Sequence, residues 1–214
     1  MVTDYQDSPS QGGTSPPFGA DCFERLFFVW KKYHKPTRAR SIMAAKRTST
    51  FFLRFNQNLQ DDNTFYQGEN DIGAYVNVLD KAVLSIKSIQ VSVSDSTGRM
   101  PNITSGEGAA FSWQLTTQSQ TDVVLLSDNS VVASGGGSAE EKGTGQIAVN
   151  WSDWDIGPSH FTTDLGYMVA TESLYLGGSA STGFAEDVYV SLLLECQVVT
   201  MDVQDGVALA LSQQ

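Results

Sequence analysis

The run DVYVSLLLECQVVTMDV (187–203) constrains the fold more than any other stretch. Val188, Val190, Leu192, Leu194, Cys196 and Val198 recur at every second residue, the period of a β-strand, whose successive side chains point to opposite faces. A helix would scatter them around its circumference. Tyr189, Leu193, Val199 and Met201 make the other face partly apolar, which predicts a central strand covered on both sides.

A strand of that kind needs neighbours, and the chain supplies them. Phe51, Leu53 and Phe55 alternate in STFFLRFN, Ile89, Val91 and Val93 in SIQVSVSD, and Phe111, Trp113 and Leu115 in AFSWQLTT. With Val190, Leu192 and Leu194, these residues are the expected core. AYVNVL (74–79), AVLSI (82–86), QIAVNW (146–151) and LGYMVATESLYLG (165–177) read as further strands, the last broken at Thr171–Glu172. The apolar phase moves from even to odd positions at Lys87–Ser88, which predicts a bulge or bend there. DVVLLSDNSVVAS (122–134) reads as a hairpin turning at Asp128–Asn129. GGGSAEEKGTG (135–145) and GGSASTG (177–183) read as flexible surface loops, and no helix is expected after residue 50.

These runs predict an all-β chain: a single antiparallel sandwich or barrel over residues 49–214. The 214 residues suffice for one well-buried domain. Residues 1–48 read as a flexible extension. Its start is rich in Ser, Pro and Gly, and Phe23, Leu26, Phe27 and Trp30 suggest one short helix ended by Pro36. Met43, followed by Ala44 and Ala45, reads as a natural start running into the first strand. On that reading the preceding segment is dispensable for folding. Cys196 is expected to be a buried thiol, and Cys22 falls in the extension, so no disulfide framework is expected.

Charge divides the chain sharply. Nine of its 13 Lys and Arg lie between Arg25 and Arg54, an interval without Asp or Glu, whereas residues 55–214 carry a net charge of −16. Lys31, Lys32, Lys35, Arg38, Arg40, Lys46 and Arg47 form a candidate arm for a polyanion such as nucleic acid, which they would bind without sequence preference and with strong salt dependence. Asp4, Asp7, Asp21 and Glu24 argue against a transit peptide. LFFVW (26–30) is too short for a signal-peptide core, and no run is long enough to cross a bilayer as a helix.

Motifs for catalysis are scarce. Two histidines are present. His34 lies in the basic segment, and His160 has Ser159 and Asp164 close by in a stretch that reads as a loop. No G-x-S-x-G elbow, phosphate loop, paired CxxC or HExxH occurs. Glu140–Glu141 sit in a glycine-rich stretch unsuited to a poised acid–base pair. NWSDWDIG (150–157) is the best ligand candidate. Trp151 and Trp154 could stack on a sugar, while Asp153 and Asp155 offer calcium only two of the six to eight oxygens it takes. A strand end with solvated aspartates is the favoured reading. No catalytic residue, metal or cofactor is expected.

The layout of residues 30–214, a basic arm leading into an antiparallel β domain with Ser-, Thr- and Gly-rich loops, resembles that of single jelly-roll capsid proteins of small icosahedral viruses. The resemblance is one of layout, without a residue-level motif. It implies a jelly-roll-like fold, a homo-oligomeric shell in the virion, and a basic arm facing packaged nucleic acid. The alternative is a carbohydrate-binding or adhesin-like sandwich at an extracellular surface. Apolar residues near both ends, in LFFVW and in VALAL (207–211), are expected to be buried against neighbouring copies.

Overall fold

A computed structural model describes residues 47–141, 147–152, 155–156 and 166–213. The strand with the strongest alternation does become central. β10 (Val188–Thr200) lies antiparallel between β1 (Phe51–Gln60) and β3 (Ala82–Ser94). The short strands β7 (Asp155–Ile156) and β8 (Tyr167–Val169) both pair with β3, completing a five-stranded terminal sheet. A second five-stranded sheet runs β2 (Tyr66–Asp71), β9 (Ser173–Ala180), β4 (Gly108–Thr116), β5 (Val131–Glu141), β6 (Ile147–Ser152).

Strands far apart in the chain therefore pair in nested order: β1 with β10, β2 with β9, β3 with β7 and β8, and β4 with β5. Successive pairs alternate between the two sheets, as in a long hairpin folded double. That arrangement is the jelly roll, a double-sheet solution to the edge-strand problem.

The core lies between the sheets. All of the expected core positions belong to it: Phe55, Ile89, Phe111, Trp113, Leu115, Val190, Leu192 and Leu194 are buried, with Phe51, Leu53, Val91 and Val93 packed against them. Full burial of a side chain such as Leu194 stabilises by about 1.5–3 kcal/mol. The bulge falls where the phase change requires it. Ser88 faces Glu195 and Ile86 faces Cys196, leaving Lys87 as the extra residue. The break before β9 also falls at residues 170–172.

The structure corrects four expectations. AYVNVL is a turn rather than a strand, because the Asn77 side chain accepts from the backbone N–H groups of Leu79 and Asp80 and competes with a ladder. The turn around Asp128 forms, its carboxylate accepting from the Ser130 amide and hydroxyl. Only the following arm is a strand. Residues 122–127 do not pair, since the Val124 amide donates to Gln114 Oε1 (2.8 Å) instead.

The two glycine-rich stretches are mostly strand: 135–141 belongs to β5 and 177–180 to β9. Here glycine serves close approach. A Cβ on Gly135 would come within 2.9 Å of the Trp113 indole nitrogen, and one on Gly178 within 2.2 Å of the Ser112 carbonyl oxygen. The indole fills the volume that a side chain at Gly135 would take, and the β4 backbone takes that at Gly178.

Finally, the apolar C-terminal stretch forms a helix, α1 (Val203–Ser212). Leu209 and Ala210 pack over Val83, Ala170 and Val199, covering one end of the terminal sheet's outer face. Buried Gln213 fastens the helix end. Its side chain donates to the Met168 carbonyl and accepts from the Ala170 amide, and its carbonyl accepts from Thr117 Oγ1. The C-terminal apolar residues thus find part of their cover within the chain itself, though Val207 and Leu211 stay exposed.

Candidate functional site

Of the proposed basic arm, only Arg47 lies among the described residues. It is exposed and forms a β-bridge with Val199. Lys31, Lys32, Lys35, Arg38, Arg40 and Lys46 lie outside them, as do His34, His160, Asp153, Trp154 and the amphipathic segment around Phe27. Trp151 lies in β6 opposite Gly137, and Asp155 in β7 opposite Gln90. The described parts of the ligand candidate therefore belong to different sheets.

The carboxylates in the described loops act mainly as turn caps. Asp95 Oδ1 accepts from the Arg99 amide (2.9 Å) and from the Thr97 amide and hydroxyl (2.7 Å each). These donors hold its carboxyl below the usual range. The Tyr66 hydroxyl does the same for Asp62 at 2.7 Å, and the Ser130 hydroxyl does it for Asp128. A general acid at neutral pH needs the opposite shift. The raised groups are Tyr66 beside the Asp62 carboxylate, Tyr167, and Cys196, whose thiol is pushed up to about 12 by burial and by Glu195. Such a thiol is a packing group rather than a nucleophile. Among the described residues no three His, Cys, Asp or Glu side chains are grouped to hold a metal, and no helix is long and apolar enough to cross a membrane.

The surface offers two formations that the sequence reading did not single out. On the outer face of the terminal sheet, paired residues stand in rows across β1, β10 and β3: Arg54–Leu193–Gln90, then Asn56–Ser191–Ser92. The serines are short and their neighbours long, and the resulting open groove measures about 490 Å³. The second formation is the loop before β5, where Leu125 is 79% and Leu126 70% exposed. Gln114, fully buried, holds this loop by donating to the Asp122 carbonyl and accepting from the Val124 amide. The LL pair between Asp122 and Asp128 was the available signal. The groove had none, since it depends on register between strands distant in sequence.

No known family matches the sequence, and no curated protein does. Among the solved structures it is similar to are viral capsid proteins. One is VP1 of trichodysplasia spinulosa-associated polyomavirus, solved with sialylated glycooligomers: TM-score 0.42, 7% identity, covering 72% of this chain and 96% of that one. A second is from desmodium yellow mottle tymovirus: TM-score 0.32, 7% identity, covering 94% of each chain. A third is from turnip yellow mosaic virus: TM-score 0.28, 10% identity, covering 72% of this chain and 95% of that one.

Proposed function

We propose that this chain is a structural subunit that assembles with copies of itself into a virion shell, its basic arm contacting packaged nucleic acid. One observation carries the reading. A jelly-roll domain presents large apolar side chains to solvent, including Phe52, Leu79, Leu125, Leu126 and Leu211. Exposed apolar surface of this kind on a rigid scaffold favours association.

Charge sets how assembly should respond to salt. Copies whose residues 55–214 carry a net −16 repel one another at low ionic strength. Added salt or divalent cations screen that repulsion and promote association. Binding of nucleic acid to the cations of residues 31–47 weakens over the same range, because salt removes the gain from counterion release. Sedimentation velocity across salt, with and without nucleic acid, separates the two responses. A chain that remains monomeric throughout would overturn the shell reading. Retention of that monomer on a glycan matrix would favour the carbohydrate-binding alternative.

A further inference from the structure

We propose that the Leu125–Leu126 loop of one copy seats in the Arg54–Ser191 groove of the next, making a head-to-tail contact. The inference deepens the self-assembly reading and rests on it.

The loop is built as a projection. Buried Gln114 fixes it from below, and the Gln120 amide donates to Gln67 Oε1 at 2.9 Å. The Asp128 amide closes the tip on the Leu125 carbonyl at 2.9 Å. Two leucines are thereby held in water by a tethered backbone. Little ordering entropy remains to be lost when they bind, which is the usual benefit of preorganisation.

The groove complements this projection in chemistry. On this face Leu193, Arg54 and Gln90 wall the serine row, while Phe55, Val91 and Leu192, whose side chains face the core, contribute backbone at its floor. Its volume of about 490 Å³ falls within the roughly 300–1,000 Å³ of typical ligand pockets, ample for two leucine side chains.

Charge selects the occupant. Arg54 lines the groove, whereas exposed Asp122 and Asp128 flank the leucines. Cations are scarce on this domain, with only Lys81, Lys87, Arg99 and Lys142 beyond residue 54. An acidic projection therefore finds attraction at the groove and repulsion over much of the remaining surface.

Projection and groove lie on different elements, the β4–β5 loop and the outer face of β1, β10 and β3. A copy that has used its loop still has its groove free. Contacts of this heterologous kind propagate into rings or larger arrays instead of stopping at a two-fold dimer.

The test uses the full chain in two forms. One carries Leu125→Ser with Leu126→Ser. The other carries Arg54→Glu with Ser92→Tyr, which reverses the charge and fills the groove. All four positions are exposed, and unchanged melting temperatures check that each form is folded. In sedimentation velocity, under salt conditions where the unaltered chain assembles, each form alone is expected to remain monomeric. Their equimolar mixture should give a 1:1 complex and nothing larger, because only one loop–groove pair survives. Assembly of both forms like the unaltered chain would overturn this contact and leave self-assembly standing. Normal assembly of the leucine variant, with failure of the groove variant alone, would also overturn it and assign the groove another occupant. An unaltered chain that stays monomeric under every condition removes the self-assembly reading, and this contact falls with it.

Discussion

The two sheets perform the same architectural task with different side chains. β1, β10 and β3 carry bulky alternating residues, and their inner face fills the core directly. β5 and β9 contribute Gly135–Gly137 and Gly177–Gly178 to the opposite sheet; the Trp113 indole on β4 fills the space over Gly135, the Phe65 ring lies over Gly177, and the β4 backbone closes on Gly136 and Gly178. The contrast shows that a sheet needs filled volume and paired amides, and that a neighbouring strand can provide the volume. It also makes the sheets fail differently: the terminal sheet through lost contacts, the glycine-rich sheet through added ones.

The largest expected effect is on the glycine-rich side. Gly178→Val places a branched side chain against the Ser112 carbonyl and the Trp113 backbone, and backbone cannot yield as a side-chain tip can. Overpacking typically costs 1–3 kcal/mol, and at this site a loss of about 3 kcal/mol or more is expected in urea denaturation. A loss under about 1 kcal/mol would show that β4 and β9 can separate to make room.

On the terminal side, Leu194→Ala leaves a cavity in the middle of the core and should cost about 2–5 kcal/mol. The same denaturation experiment reads it, with the slope expected to stay unchanged. A near-neutral result would mean that this sheet collapses around voids and is the softer of the two.

Gln114→Ala tests the loop that covers part of the glycine-rich sheet. Removing a fully buried side chain with two partners should cost about 1–3 kcal/mol. Hydrogen exchange at the Val124 amide, which Gln114 Oε1 accepts from, should accelerate more than exchange within β10. Equal acceleration in both would indicate global destabilisation instead of local release.

The acid response is smaller. Asp62, Asp95 and Asp128 are held below their ordinary values in the folded state. Their contribution is present at neutral pH and lost as pH falls through those depressed values. Asp95→Asn should therefore flatten the acid side of the stability profile while changing the neutral side less. Smallest of all is the thiol effect. Cys196 should be silent to a thiol reagent at pH 8 in the folded chain and appear only on unfolding, as its burial and raised value require.

Much of this was legible one strand at a time. Alternation at residues 51–55, 89–93, 111–115 and 188–198 identified strands and inward faces, because side-chain direction follows from backbone geometry alone. The phase slip at Lys87 was visible for the same reason. The glycine-rich stretches were misread because glycine carries no period, and its place in a strand depends on what stands across the ladder. AYVNVL was misread because Asn77 redirects the local backbone bonds. Of the candidate surfaces, the leucine pair was present in the sequence. The groove arises only when Ser191 and Ser92, on strands almost a hundred residues apart in the chain, fall into one row.

An all-β chain, the apolar faces of its principal strands, and the separation of its cations from an acidic domain follow from residue order alone. Those properties are local, set by side-chain period and by charge along the chain. Tertiary structure decided the nested pairing of strands and the role of the C-terminal stretch as a helical cover for Val83 and Val199. It also decided which exposed residues meet on one surface. Each of these depends on contacts between residues distant in sequence, where burial and hydrogen bonding with a particular neighbour override what a segment prefers alone.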